Sequence, residues 1–178
     1  MGILALGVGL GGSGTFGALL HAVNHSCTKA LLFLVAGNIL TAYQSKSTAD
    51  VRGILRVLPI SGVLWVAGFL AITGSPPFGP FLSEFTILKA ALDHGRSGVA
   101  LLYLLLLAAI FVGMTSTVLG MAQGTPVGSR ARSRSAEPLL TIVPSVVLAT
   151  LVLLLGLYLP PPLRETLEEA AHMLRSSP

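Results

Sequence analysis

The sequence predicts an all-α fold, a polytopic transmembrane helix bundle in which one helix is discontinuous. Composition comes first: mean hydropathy is +0.83 and 10% of the 178 residues are charged, against roughly 25% in soluble domains. A soluble core of this size needs a polar shell that such a chain does not supply. Apolar stretches then recur at 16–43, 58–94, 98–124 and 139–159, on the scale of the roughly 20 residues that cross a bilayer as a helix. Finally, the second stretch is interrupted by GSPPFGP, where Pro76, Pro77 and Pro80 remove backbone donors and forbid a continuous helix.

Taken in order, residues 1–10 (MGILALGVGL) are apolar but too few to span. No basic residue precedes Lys29 and position 6 is Leu6, so neither a charged signal-peptide start nor a myristoylation motif is present. The segment reads as the end of a helix whose first part is absent, with a turn at Gly11, Gly12, Ser13, Gly14 and Thr15. The helix over 16–43 follows, about 42 Å long against a hydrocarbon core of roughly 30 Å. Residues 44–57 form a polar connection holding Lys46, Asp50, Arg52 and Arg56, part of it expected as a short interfacial helix. In 58–94 neither half is a comfortable span alone, so the whole reads as one broken crossing. Irregular backbone at membrane depth survives only where protein or water satisfies its polar groups. The helix is expected to unwind between Thr73 and Pro80, with Glu84 in the first turn of the resumed half. There, unpaired N–H groups favour a carboxylate by roughly 0.3–1 kcal/mol. A further helix over 98–124 completes a first part at 1–124. A loop at 125–138, a final transmembrane helix over 139–159 with Pro144 in its first turns, and a tail make up 125–178. In the tail, Leu163, Leu167, Ala170, Ala171 and Leu174 share one side of an amphipathic helix, and His172 reads as solvated.

Charge and cysteine content exclude several classes. The net charge of +4 comes from basic residues in short loops between apolar spans, which act as topology signals rather than as a nucleic-acid surface. Lys46, Arg52 and Arg56 in one loop and Arg130, Arg132 and Arg134 in another share a side, against Arg96, Arg164 and Arg175 opposite. The positive-inside rule therefore places loops 44–57 and 125–138 in the cytoplasm, in an inner membrane. Cys27 is the single cysteine, so no intrachain disulfide forms. No Ser–His–Asp set, paired-cysteine motif, phosphate-binding loop or dinucleotide fingerprint occurs, and no cofactor is expected.

The chemistry concentrates in the 16–43 helix. His21, His25 and Lys29 are spaced four and four apart, so they drift slowly along one face, with Asn24 and Thr28 on the same stripe. A lysine at the bilayer centre costs about 2.5–3.5 kcal/mol on insertion scales unless it faces a protein interior or a hydrated cavity. Histidine, with an unperturbed pKa near 6.5, accepts and releases protons at physiological pH. A proton relay explains this row better than a polar packing stripe. Protonated Lys29 or His25 is the cation expected to pair with Glu84. A metal site at His21 and His25 lacks an evident third ligand, and Lys29 repels a cation. Lys89, five residues past Glu84, snorkels or pairs with Asp93.

HAVNHSCTKALLFLVAGNI, followed by DVRGILRVLP and GFLAITGSPPFGPFLSEFTILKAAL, resembles the antiporter-like proton-pumping membrane subunits. These occur in respiratory complex I, in energy-converting hydrogenases and in multisubunit cation/proton antiporters; the residue pattern is most similar to the hydrogenase-4 branch. The resemblance covers residues 1–95. It implies a proton-translocating, non-catalytic membrane subunit of a hydrogenase-type or NADH dehydrogenase-type complex. Its partners would be other membrane subunits, the lipid bilayer and protons. His21, His25 and Lys29 would form its central relay, with Glu84 beside the helix break at the relay's end. A cation/proton antiporter subunit and a truncated, non-conducting scaffold are the alternatives. Members of this family carry about fourteen helices, including two inverted five-helix repeats. The sequence is accordingly expected to be a C-terminal fragment, without the first half-channel.

Overall fold

The computed structural model describes residues 2–125 and 137–176. They form eight α-helices: α1 (Gly2–Leu10), α2 (Ser13–Tyr43), α3 (Ile54–Val57), α4 (Pro59–Ile72), α5 (Gly79–Asp93), α6 (Ser97–Gln123), α7 (Leu139–Leu157) and α8 (Pro161–Ser176). By length and composition α2, α6 and α7 are each able to cross a membrane. The halves α4 and α5, at 14 and 15 residues, fall short of the roughly 20 a span requires. The discontinuous helix is thus present, interrupted over 73–78.

Helix α2 is the hub, packed against α1, α4, α5, α7 and α8. Its buried positions, Gly14, Gly17, Ala18, His21, Asn24, Thr28, Leu31, Val35 and Ile39 among them, recur every three or four residues. Small residues at the start of this face let α1 and α5 come close, as membrane helices do when packing rather than hydrophobicity drives association. Phe33 and Leu34, off that face, are exposed. The turn before α2 is tighter than expected. Gly11 and Gly12, both at positive φ, complete it, and Ser13, Gly14 and Thr15 already belong to the helix.

At one end of the bundle, Val51, Ile54, Val57 and Leu58 join Leu31, Val35, Ile39, Leu64 and Met121 in a core cluster. The short helix expected in the 44–57 connection is present as α3, with Ile54 and Val57 turned into this cluster and Arg56 exposed. Gly124, just past the end of α6, lies against Arg52. Glu137 reaches the start of α4, where its carboxylate accepts from the N–H groups of Ile60 (2.9 Å) and Ser61 (2.8 Å). That pair of bonds supplies the cap that Leu58 and Pro59 do not provide. The two polar connections thus meet at one end. Arg130, Arg132 and Arg134 lie outside the described residues, as does the Arg175 side chain.

The opposite end carries a second cluster of Leu10, Ile87, Ala90, Ala91 and Ala100. The tail helix α8 packs on α2, with Leu167 buried and Leu163, Ala170 and Ala171 half-buried, while Leu174 and His172 are exposed. Arg164 donates to Glu168 one turn on, at 2.7 Å.

Candidate functional site

The row of His21, His25 and Lys29 does not stay on the buried face of α2. A step of four residues advances a helix by about 400°, so each step drifts by about 40°. Accordingly His21 is buried, His25 half-buried and Lys29 exposed on the surface of this chain. The buried polar stripe is instead His21, Asn24 and Thr28. The expected pairing of Glu84 with Lys29 or His25 is not seen. Among the described residues the one ion pair is Arg164–Glu168.

What the stripe meets is the broken helix. Asn24 donates from Nδ2 to the carbonyl of Gly79, at 2.8 Å, and so holds the backbone at the point where α5 resumes. A Cβ at position 79 would sit 2.7 Å from Asn24 Oδ1, so glycine is what lets the amide approach. Thr28 donates to the Asn24 carbonyl at 2.8 Å. His21 Nδ1 lies 3.0 Å from Ser83 Oγ, and Ser83 donates to the Pro80 carbonyl at 2.8 Å. With the Ser83 proton on the Pro80 carbonyl the hydroxyl accepts from Nδ1–H, and with that proton turned to the ring Nδ1 is the acceptor, so the contact serves either tautomer of His21. The His21 and His25 rings stack, with centroids 5.3 Å apart and planes 25° from parallel.

From the other side, α7 braces the break. Gly156 lies against the carbonyl of Pro77 and the backbone of Phe78 and Gly79 so closely that a Cβ there would strike it. Pro76 and Pro77 are in the break itself. Pro80 is the second residue of α5, a position where the missing N–H has no helical partner to lose. Glu84 is the sixth residue of α5 and so belongs to its second turn, not the first. The helix-end bias, which fades within the first turn, is not its main environment. The carboxylate is folded back over the break instead. Gly74 has φ 68°, and its missing side chain leaves the space that the Glu84 carboxylate fills.

These residues converge on one cavity of about 570 Å³, lined by His21, His25, Thr73, Glu84 and Tyr103 and otherwise mostly by apolar side chains of α1 and α6. A second cavity of about 340 Å³ shares Thr73, Glu84 and Tyr103 and continues between α5 and α6. Lys29 lines neither. Lys89 is exposed, and it is not ion-paired with Asp93 among the described residues. Nor, among those residues, is any group of three or more His, Cys, Asp and Glu side chains arranged to hold a metal ion. Sequence reasoning missed Ser83, Tyr103 and the contact of Gly74 with Glu84. Ser83 directly precedes Glu84, and Tyr103 is the one polar side chain in the apolar run 99–114, which are the only signals those two offered.

The same helices recur in known proteins. The sequence model of the family described as NADH:quinone oxidoreductase/Mrp antiporter, TM, matches residues 1–110. The chain is 32% identical over 179 residues to a hydrogenase-4 component F homolog of Methylacidiphilum infernorum (isolate V4), covering 98% of this chain and 36% of that protein. It is 34% identical over 149 residues to NADH-ubiquinone oxidoreductase chain 5 of Rhizopus stolonifer, covering 78% of this chain and 22% of that one. The chain thus spans little more than a third, or less, of the length of these relatives. A chain in the structure of the Mrp complex from Dietzia sp. DQ12-45-1b superposes with a TM-score of 0.83 over 97% of this chain and 40% of that chain, at 23% identity, and so shares the fold. With the family match running over more than half of the sequence, the chain belongs to the NADH:quinone oxidoreductase/Mrp antiporter transmembrane family.

Proposed function

We propose that the chain forms part of a proton-conducting membrane subunit of a redox-driven complex of the hydrogenase or NADH dehydrogenase type. Protons pass between the His21–His25 pair and Glu84. The observation that carries this reading is the shared cavity, which joins two stacked imidazoles to a buried carboxylate beside a broken helix. Imidazoles are the side chains suited to gaining and losing protons at physiological pH. Glu84 borders the same cavity as both histidines, and in this reading its protonation is coupled to theirs across that space. The relatives named as hydrogenase-4 and NADH-ubiquinone oxidoreductase components support a redox-driven assembly. Other membrane subunits are then its partners. Lys29, exposed on this chain, faces such a neighbour rather than lipid, because of the cost of a lysine among acyl chains.

The second reading is a cation/proton antiporter subunit, favoured by a relative named as a Na(+)/H(+) antiporter subunit A1 from Staphylococcus haemolyticus, 27% identical over 82% of this chain. The same cavity serves either assembly. Loops 44–57 and 125–138 are assigned to the cytoplasm on their basic residues, with support from the meeting of Arg52, Gly124 and Glu137 at one end of the bundle. The test is proton uptake into inverted membrane vesicles holding the complete complex, driven by its electron donor, with and without sodium. Uptake that follows electron transfer and ignores sodium supports the redox pump. Sodium-dependent exchange without an electron donor favours the antiporter, and neither activity leaves a scaffold.

A further inference from the structure

Tyr103 belongs to α6, where its ring is buried, and its hydroxyl is buried with no hydrogen-bond partner among the described residues. A buried phenolic O–H without a partner is uncommon, because it gives up its hydrogen bonds to water and gains none in return. The residue lines both cavities, and so does Glu84. His25 Nδ1 is likewise buried and unpartnered, and His25 lines the larger cavity. The two residues that carry these unpartnered atoms therefore line, together with Glu84, one space of about 570 Å³, many times the roughly 10–15 Å³ that a single water needs. A site with several polar partners is where ordered water is expected.

We infer that Tyr103 is the proton-passing group between the histidine pair and Glu84, linked by one water to His25 and by another to the Glu84 carboxylate. This rests on the relay reading above and adds a member to it. A phenol is both donor and acceptor, which suits it to the middle of such a chain. A proton leaves the His25 imidazolium for the first water, and a proton of that water moves to the Tyr103 oxygen. As it does, the phenolic proton moves to the second water, which releases one of its own to the Glu84 carboxylate. The result is neutral His25, an intact phenol, two intact waters and a protonated Glu84, with no net charge left on Tyr103. Phenylalanine at this position keeps the ring and removes only the hydroxyl.

The test is made in the complete membrane complex with Tyr103→Phe and Glu84→Gln. Proton uptake per assembled complex is measured beside the infrared C=O stretch that Glu84→Gln abolishes. In Tyr103→Phe, uptake is expected to fall about tenfold, the scale of one lost hydrogen-bonded transfer partner. The Glu84 band should move to higher frequency as its carboxyl loses the water that Tyr103 anchors. 3-Fluorotyrosine at position 103, which keeps a hydroxyl, should restore uptake; a purely structural role for the ring would leave Tyr103→Phe unaffected. Unchanged uptake and an unmoved band in Tyr103→Phe, with Glu84→Gln impaired, would overturn the role of Tyr103 alone. Full uptake by Glu84→Gln would instead overturn the relay reading from which it starts.

Discussion

Asn24, on the histidine helix, donates a 2.8 Å hydrogen bond to the carbonyl of Gly79, the first residue of the helix that resumes after the break. One bond thereby ties the polar stripe of α2 to the backbone at the start of α5. It sets the depth of Glu84 relative to His21, because α5 starts where Asn24 holds it. Replacing Asn24 by leucine keeps the volume and removes this second acceptor bond of the Gly79 carbonyl, which also serves the first turn of α5. We expect Asn24→Leu to cost about 0.5–1.5 kcal/mol, the net worth of one hydrogen bond, seen as a lower unfolding temperature of the purified complex, with faster amide exchange confined to 79–84.

The contact of Glu84 with Gly74 makes a sharper prediction. Gly74→Ala puts a methyl group where the carboxylate lies and forces a left-handed φ on alanine, at about 1–2 kcal/mol. Displacing the carboxylate should slow proton uptake about as much as Glu84→Gln does. The double variant should be no slower than either single one, because both remove the same contact. Additive losses in uptake would show that Gly74 acts through something other than Glu84.

Much of this organisation is legible in the residues. Proline spacing locates the break, and the runs of apolar residues locate α6 and α7. His21 and Glu84 stand out as titratable groups in predominantly apolar helices. What the residues do not show is the side each one takes. Spacing of four holds His21, His25 and Lys29 to one stripe only if drift is ignored; over eight residues that drift reaches about 80°, enough to carry Lys29 out of this chain's interior. Nor does a sequence reveal that the Glu84 carboxylate folds back over Gly74, since that depends on the angle at which two half-helices meet.

Glu137 caps α4 from a distant part of the chain, through the N–H groups of Ile60 and Ser61. Glu137→Ala should cost about 0.5–2 kcal/mol, the range for loss of a helix cap, and should speed amide exchange at Ile60 and Ser61 above that of the rest of α4. Glu137→Gln keeps one acceptor oxygen and should recover part of the protection. Equal exchange in all three proteins would show that the cap contributes nothing.

Lys29 offers a test of the assembly. Its exposure on this chain, set against the cost of about 2.5–3.5 kcal/mol for a lysine at the bilayer centre, predicts that another polypeptide segment covers it in the complete complex. A photo-crosslinking amino acid at position 29 should yield a protein adduct, and position 33, where Phe33 is exposed and apolar, serves as the comparison. Lipid adducts alone from position 29 would refute the prediction.

The most direct measurement is the number of protons translocated per electron pair by the complete complex carrying Glu84→Gln, in sealed vesicles. With Glu84 as the carboxylate that receives protons from the histidine pair, that ratio falls while assembly and electron transfer by the soluble subunits hold. An unchanged ratio in Glu84→Gln would contradict a proton route through this residue.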